Sequence, residues 1–171
     1  FHESTSYSPN SPYSASKASS DHFVRAYGET FGMPYVITNC SNNYGPNQFP
    51  EKLIPHCIIN ALMGKAIPIY GDGRQIRDWI HVEDNVSGIW YVLEYGENRN
   101  VYNISGNNPL SNIEVVKQVC SWFDIDDYKS HVEFVENRLG QDARYSINSA
   151  KAENLCWSRE FGKGLTNYVK H

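Results

Sequence analysis

A long helix followed at once by a buried strand is the feature that most constrains the fold of this chain. The run from Tyr13 to Phe31 contains no proline and one glycine, and Ser11 before it is a suitable N-cap. Gly32 and Pro34 then stop the helix. The next run, Tyr35 to Asn39, has the β-branched and aromatic content of a strand buried within a parallel sheet.

Predicted strands and helices alternate over the rest of the chain. We predict helices over 52–63, 83–94, 111–122, 149–155 and 165–169, and strands over 67–70, 75–80, 101–105 and 132–135. Within 83–94 the apolar residues Val86, Ile89, Trp90 and Leu93 recur at three and four, which predicts that they form the buried face of that helix. The alternation predicts an α/β fold.

Tyr13 and Lys17 are placed for acid–base chemistry. They are four residues apart, so a helix brings their side chains onto one face. A free phenol titrates near pH ~10 and is a poor base at neutral pH, whereas a nearby ammonium favours the phenolate and lowers that pKa. Such a pair can take a proton from an alcohol while a hydride leaves the same carbon. The alternative is a surface lysine one turn from a half-buried tyrosine.

Further blocks follow this helix in a set order: Cys40–Pro46, Phe49–Pro55, Pro68–Gly73 and Arg77–Asp84. Together with the run from Ser11 to Asp21, they resemble the extended short-chain dehydrogenase/reductase family of nucleotide-sugar enzymes. The resemblance covers nearly the whole chain and weakens after about Asp124. It implies that residues 1–46 are the end of a Rossmann-type NAD(P)-binding domain. Residues 47–171 would be mainly a smaller α/β nucleotide-sugar-binding domain, with at least one crossing back to the cofactor sheet.

The most similar branch of that family removes water from a nucleotide-activated glucose, which implies dTDP-glucose as substrate and NAD as a recycled cofactor. In this resemblance Tyr13 removes the proton from the sugar 4-hydroxyl, and Lys17 holds the nicotinamide ribose and lowers the pKa of Tyr13. The hydride leaves C4, water is lost across C5 and C6, and the hydride returns to C6. Such deoxysugars commonly feed surface polysaccharide synthesis.

The resemblance also implies which residues bind the substrate and the cofactor. Asn43 would join Tyr13 and Lys17 at the cofactor. The substrate site would comprise Asn42, Lys52, Leu53, Pro68, Tyr70, Arg77, Asn112 and Arg138. Arg77 is suited to the diphosphate because its guanidinium can bind two phosphate oxygens at once, and the alternative is a local salt bridge with Asp78.

Two substitutions leave the nucleotide and sugar preference open. Asn137 and Gln141 stand where the family usually shows Asp and His.

Epimerases and UDP-glucuronate decarboxylases of the same family are alternatives, because the Asp-Glu pair that separates them is absent from this sequence. The Gly-rich dinucleotide fingerprint is also absent. We therefore expect the C-terminal half of a longer enzyme, with a non-catalytic truncated nucleotide-sugar-binding fragment as the alternative.

Charge and cysteine spacing argue against several other classes of protein. The net charge is −4 and no basic stripe is visible, so we expect no nucleic-acid partner. The four cysteines, at positions 40, 57, 120 and 156, have no metal-binding spacing and are expected to be reduced, mostly buried thiols of a cytoplasmic protein. No apolar run is long enough to span a membrane, and we expect neither a membrane segment nor a signal peptide.

The helix that carries Tyr13 and Lys17 has more apolar surface than one buried side requires. Phe23, Val24, Tyr27 and Phe31 supply it. In related enzymes this helix packs against its counterpart in a second subunit. We therefore expect a homodimer formed through this helix.

Overall fold

The computed structural model describes residues 1–137 and 142–160, and its first element is the predicted helix. Helix α1 spans Pro12–Phe31. The Ser11 hydroxyl accepts a hydrogen bond from the amide of Ser14 at 3.1 Å, which caps the first turn. Gly32 ends the helix at φ 67°, and its amide donates to the carbonyl of Gly28. The prediction for this helix is confirmed.

The first sheet pairs two strands that are distant in the sequence. Strand β1 (Val36–Cys40) runs parallel to β5 (Asn100–Ile104), and Ile37 lies opposite Val101. Helix α3 (Val82–Tyr95) packs on both strands, and the short helix α5 (Ala150–Glu153) packs on β5. The predicted α/β class, with parallel pairing, is confirmed.

The second sheet is built around β4 (Ile76–His81), which pairs with three other strands. It runs parallel to β2 (Asn42–Tyr44) and β8 (Arg144–Tyr145) and antiparallel to β6 (Pro109–Ser111). The sequence suggested no strand at β2 or β8, because both are too short to show a hydrophobic period. Strand β4 therefore connects four separate parts of the chain.

The third sheet pairs β3 (Ile67–Tyr70) with β7 (Val132–Val135) in parallel. Helices α2 (Leu53–Leu62) and α4 (Asn112–Trp122) cover it, and a 3₁₀ turn at Tyr128–His131 leads into β7. The core between them is made of buried apolar side chains: Cys57, Ala61, Ile67, Ile69, Val116, Val119 and Cys120. Burying this surface is the main stabilising term for this part of the chain.

A buried carboxylate ties the first sheet to the second. Asp78 is fully buried, and its two oxygens accept hydrogen bonds from the amide of Asn108, at 2.7 Å, and from the hydroxyl of Ser105. The amide of Gly106 donates to the hydroxyl of Ser41, which lies between β1 and β2. A Cβ at Gly106 would come within 1.8 Å of the Trp79 carbonyl oxygen, so only glycine fits there.

The predicted orientation of helix α3 is wrong. Val86, Ile89, Trp90 and Leu93 are between 41% and 65% exposed. The buried face instead carries Asp84, Asn85, Gly88 and Val92. Gly88 allows Ile104 and Trp157 to approach closely, and Asp84 accepts a hydrogen bond from the amide of Glu160 at 2.8 Å. Distant contacts, and not hydrophobicity along the helix, decide which face is covered.

The remaining points concern the cysteines, membrane-spanning helices, metal clusters and two predictions that fall outside the described residues. Cys57 and Cys120 are buried, but Cys40 and Cys156 are exposed, so the prediction of mostly buried thiols is wrong for half of them. Within the described residues, no helix combines the length and apolar character needed to cross a membrane, and no three metal-binding side chains cluster. The predicted helix 165–169 and the candidate Arg138 lie outside the described residues.

Candidate active site

Helix α1 presents the two candidate catalytic side chains to solvent. Tyr13 is 74% exposed and Lys17 is also exposed. They lie one turn apart on the same face, as predicted. The helix around them is fixed locally, because the Ser16 hydroxyl donates to the Tyr13 carbonyl at 2.7 Å and Ser11 caps the first turn. Within the described residues, neither the phenol nor the ammonium has a hydrogen-bonding partner, so both are available to a ligand.

Asn43 lies just beyond the carboxyl end of β1, where ligands bind in open α/β sheets. Its side-chain amide donates to the Cys40 sulfur at 3.3 Å and to the Ser41 carbonyl at 3.1 Å. The Gln48 side chain donates to the Asn43 carbonyl at 2.8 Å. The Asn43 Oδ1 atom is buried without a partner in the described part of the chain, which suits a hydrogen-bond donor from a bound molecule.

Asn42 and Arg77 share one face of the second sheet. Asn42 lies opposite Trp79 in the parallel register, and Arg77 precedes Trp79 by two positions on the same strand. Because strand side chains alternate between faces, these three point to the same side. Asn42 and Arg77 therefore lie on one face of the sheet, and their roles at the sugar phosphate and the diphosphate stay predictions.

The Arg77 guanidinium is half-buried and donates to the carbonyl of Ile76 at 2.7 Å. In residues 1–137 and 142–160 it forms no ion pair, while Asp78 is engaged by Ser105 and Asn108. The alternative of a local Arg77–Asp78 salt bridge is therefore wrong. Burial lowers the pKa of Arg77, and the carboxylate of Asp142 partly offsets this. The group remains a charged donor that can bind an anion.

Tyr145 is a candidate that the sequence reasoning missed. Strand β8 places it directly opposite Arg77, on the face shared with Asn42. Burial is the main cause that raises the pKa of its phenol, and Cys40 and Asp142 add to the effect. The phenol is thus held protonated, as a hydrogen-bond donor. No hydrophobic period along the sequence could reveal it, because β8 is only two residues long.

Pro68 and Tyr70 lie on the outer face of β3. Ile67 and Ile69, which alternate with them, are 1% exposed and belong to the core. Strand β3 pairs only with β7 among the described strands, in agreement with the edge position predicted from Pro68. The outer face of this strand is therefore open to a ligand next to the Gly71 turn.

Three further candidates lie at helix starts. Lys52 is exposed and contacts Glu51 at 3.1 Å, just before helix α2. Leu53 packs against two core clusters, so its side chain is structural and only its backbone can face a substrate. Asn112 is the first residue of helix α4, whose start is fixed by a capping box of Ser111 and Glu114.

One further phenol at the end of the second sheet is strongly perturbed. Tyr44 is 3% exposed and packs edge-on against the His81 ring, with ring centroids 5.4 Å apart. Burial, with a smaller contribution from the charge of Asp84, raises the pKa of Tyr44 to about 12. Tyr44 is therefore a neutral structural residue here and cannot act as a base near neutral pH.

Comparison with known proteins identifies the group to which these features belong. The family described as GDP-mannose 4,6 dehydratase matches residues 1–165. The dTDP-glucose 4,6-dehydratase 1 of Escherichia coli strain K12 is 52% identical over an alignment that covers 99% of this chain and 49% of that protein. The dTDP-glucose 4,6-dehydratase of Neisseria gonorrhoeae is 49% identical over an alignment that covers 99% of this chain and 53% of that protein.

Two solved structures match this chain over nearly its whole length. The dTDP-glucose 4,6-dehydratase of Bacillus anthracis in complex with NAD matches with a TM-score of 0.92 at 47% identity, over 99% of this chain and 54% of that one. A UDP-glucuronic acid 4-epimerase of Bacillus cereus matches with a TM-score of 0.86 at 26% identity, over 99% of this chain and 55% of that one. This chain thus spans about half the length of the curated relatives it matches. The matching residues extend over nearly the whole sequence, and the chain belongs to the GDP-mannose 4,6 dehydratase family.

Proposed function

We propose that this chain is part of a nucleotide-sugar 4,6-dehydratase, with dTDP-glucose as its substrate. The observation that carries the proposal is the shared sheet face of Asn42 and Arg77, with Tyr145 opposite Arg77. A half-buried guanidinium without an ion pair in the described residues suits a diphosphate. The bacterial relatives that are about half identical carry the name dTDP-glucose 4,6-dehydratase.

The residues present fit one end of an NAD cofactor. Tyr13 and Lys17 are exposed on α1, and Asn43 offers its buried, unpaired Oδ1 atom as an acceptor for a cofactor donor. When bound, NAD supplies a hydride acceptor that is regenerated within the cycle. The sequence contains no Gly-rich fingerprint for the pyrophosphate, so we propose that this part of the cofactor site is supplied by residues outside this chain.

The side chains of this chain have separable roles in the proposed reaction. Tyr13, as a phenolate stabilised by the Lys17 ammonium, takes the proton from the 4-hydroxyl of the sugar and becomes a neutral phenol. Arg77 holds the diphosphate with two parallel hydrogen bonds, and Asn42 contacts the phosphate next to the sugar. Tyr145 donates a hydrogen bond from its protonated phenol to the sugar. Pro68, Tyr70 and Asn112 contact the nucleoside, and Lys52 and Arg138 are proposed to add charge around the diphosphate.

The proposal is tested with dTDP-glucose and the full-length protein that contains this chain. We expect a product that has lost one water and carries a methyl group at C6, which proton NMR detects directly. A product of unchanged mass that is inverted at C4 would instead indicate an epimerase, the alternative that the Bacillus cereus likeness supports at the level of the fold. Release of carbon dioxide from UDP-glucuronate would indicate a decarboxylase.

A second measurement tests whether this chain contains only part of the cofactor site. The 171-residue chain by itself is titrated with NADH and followed by fluorescence. We expect no saturable binding, because the pyrophosphate-binding turn is absent from the sequence. Tight binding would show that these residues build the cofactor site alone.

We also propose a homodimer formed through α1 and a cytoplasmic location. Phe23, Tyr27 and Phe31 on this helix are 67%, 54% and 72% exposed, a large apolar surface for a helix facing water. A second copy of the chain is the proposed partner for this apolar surface.

The proposed cytoplasmic location is supported by four free cysteines, the state typical of a reducing compartment. The dehydrated sugar would serve deoxysugar and surface polysaccharide synthesis.

A further inference from the structure

Gln75 is a buried amide that contacts three separate parts of the candidate nucleotide site. It lies just before β4 and is 7% exposed. Its side-chain nitrogen donates to the Tyr70 carbonyl at 3.2 Å and to the Asn137 Oδ1 atom at 3.5 Å. Its side-chain oxygen accepts from the Asn112 amide group at 3.5 Å, and its own carbonyl accepts from the Asn112 backbone amide at 3.1 Å.

These three partners belong to three elements that meet at one end of the third sheet. Tyr70 ends β3, Asn112 begins α4, and Asn137 follows β7. The turn beside them leaves no spare space: Gly71 has φ 61°, and a Cβ there would lie 3.0 Å from the Gln75 nitrogen and 3.2 Å from the Asn137 Cγ atom. The Gln75 side chain thus links the start of α4 to the paired ends of β3 and β7.

The chemistry of Gln75 matches this position. A glutamine amide carries both donors and acceptors, and here the donors face two oxygens while the acceptor faces an amide nitrogen. An apolar replacement would leave the Tyr70 carbonyl and the side-chain amides of Asn112 and Asn137 without these bonds. The start of α4 would then lose its side-chain link to the ends of β3 and β7.

We infer that Gln75 is a positioning residue that orders the nucleoside-binding end of the site and thereby sets the preference for the base. This inference rests on the proposed function, in which Tyr70 and Asn112 contact the nucleoside. Gln75 acts through those residues and not through the reacting sugar. Its loss is therefore expected to weaken nucleotide binding and to leave turnover at saturating substrate unchanged.

The test is calorimetric titration of the full-length protein with dTDP and, separately, with GDP. For Gln75→Leu we expect about tenfold weaker dTDP binding and a smaller preference for dTDP over GDP, with kcat for dTDP-glucose unchanged. Asn137→Leu removes the acceptor that Asn137 offers to Gln75 at an exposed position, and it should shift the preference in the same direction. Asn137→Asp keeps an acceptor for Gln75 and should behave like the wild type.

Asn60→Leu is the matched control. Asn60 is 9% exposed, and its side chain donates to the Ala66 carbonyl at 2.9 Å just before β3, so it is also a buried amide with a backbone partner. If Gln75 were purely structural, Gln75→Leu and Asn60→Leu would both lower the stability and leave the base preference unchanged. That result would overturn the inference about Gln75 but not the proposed function. So would an unchanged preference in Asn137→Leu. A wild-type protein that binds neither nucleotide would overturn the proposed function and this inference together.

Discussion

Tyr145 lies directly opposite Arg77 across the parallel pair of β8 and β4. One residue is a half-buried cation and the other is a phenol whose pKa is raised mainly by burial. The pair therefore offers a charged donor and a neutral donor on one sheet face. In the proposed enzyme the first suits a diphosphate and the second suits a sugar hydroxyl or carbonyl.

Replacing Tyr145 by phenylalanine should separate the hydrogen bond to the sugar from the binding of the diphosphate. The ring of Tyr145 packs near Phe1, with centroids 6.1 Å apart, so Tyr145→Phe keeps the packing and removes only the donor. We expect kcat with dTDP-glucose to fall at least about tenfold, equivalent to ~1.4 kcal/mol of barrier, while the Kd for dTDP changes little. Equal losses in kcat and in dTDP affinity would place the phenol at the diphosphate instead.

Tyr13→Phe tests the proposed base. The ring remains, but no group is left to take the 4-hydroxyl proton, so turnover should be lost while dTDP-glucose binding remains nearly unchanged. Steady-state rates and calorimetry on the full-length protein measure the two effects. Tyr95→Phe, at an exposed phenol on α3, is the control. A Tyr13→Phe variant that retains more than about a tenth of wild-type kcat would exclude Tyr13 as the base.

Arg77→Lys keeps the charge and removes the planar pair of donors. We expect weaker binding of dTDP, by roughly tenfold, with kcat retained once the substrate is saturating. The matched control is Arg74→Lys, because Arg74 is an exposed arginine three positions away that lies 3.6 Å from Asp72. Calorimetry with dTDP gives both dissociation constants. An unchanged dissociation constant in Arg77→Lys would remove Arg77 from the diphosphate site.

The apolar face of α1 predicts how the full-length protein assembles. Tyr27 and Phe31 pack against each other with their rings tilted by 49° and the ring centroids 5.3 Å apart, and both are exposed. Introducing charge by Tyr27→Glu should convert a dimer into monomers, measured by light scattering at micromolar concentration. Leu62→Glu, at an exposed apolar residue that ends α2, should leave the dimer intact. A wild-type monomer under the same conditions would contradict the proposed interface.

The capping box of α4 predicts a pH-dependent contribution to stability. The pKa of Glu114 is lowered, first by a hydrogen bond from the Ser111 hydroxyl and then by one from the Ser111 amide. Because folding favours the carboxylate, this contribution is fully present above the unfolded pKa of ~4.3 and is lost as the pH falls through the lower folded value.

Ser111→Ala should therefore lower the free energy of unfolding at neutral pH by about 1 kcal/mol. The difference from the wild type should shrink as the pH falls below about 4. Urea unfolding at several pH values measures both. Ser121→Ala, which removes an exposed hydroxyl bonded to the Gln118 carbonyl late in the same helix, should show no such pH dependence.

Local sequence signals predicted local structure well. The Ser11 cap and Gly32 stop defined α1, and the Ser111–Glu114 spacing defined the start of α4, because these signals act within a few residues. The exposed stripe of α3 could not be predicted, since Ile104 and Trp157, which cover the opposite face, lie elsewhere in the sequence. Helical periodicity identifies an apolar face but does not identify what it contacts.

The residues of the candidate site also divide into those that sequence motifs identify and those that only the folded structure identifies. Tyr13, Lys17 and Arg77 were identified from motifs that are short and contiguous. Tyr145 required the register between β8 and β4, and Gln75 required hydrogen bonds to three distant segments. Neither relationship has a period or spacing that could be detected along the chain, because both depend on contacts formed only in the folded state.

The three partners of β4 also have a consequence for the order of folding. Strand β2 precedes β4 in the sequence, whereas β6 and β8 follow it, with β8 close to the end of the described residues. During synthesis, β4 can pair with β2 long before Tyr145 has left the ribosome, and closing the long loop between β4 and β8 slows the last pairing. Nucleotide binding should therefore be among the last properties that a newly made chain acquires.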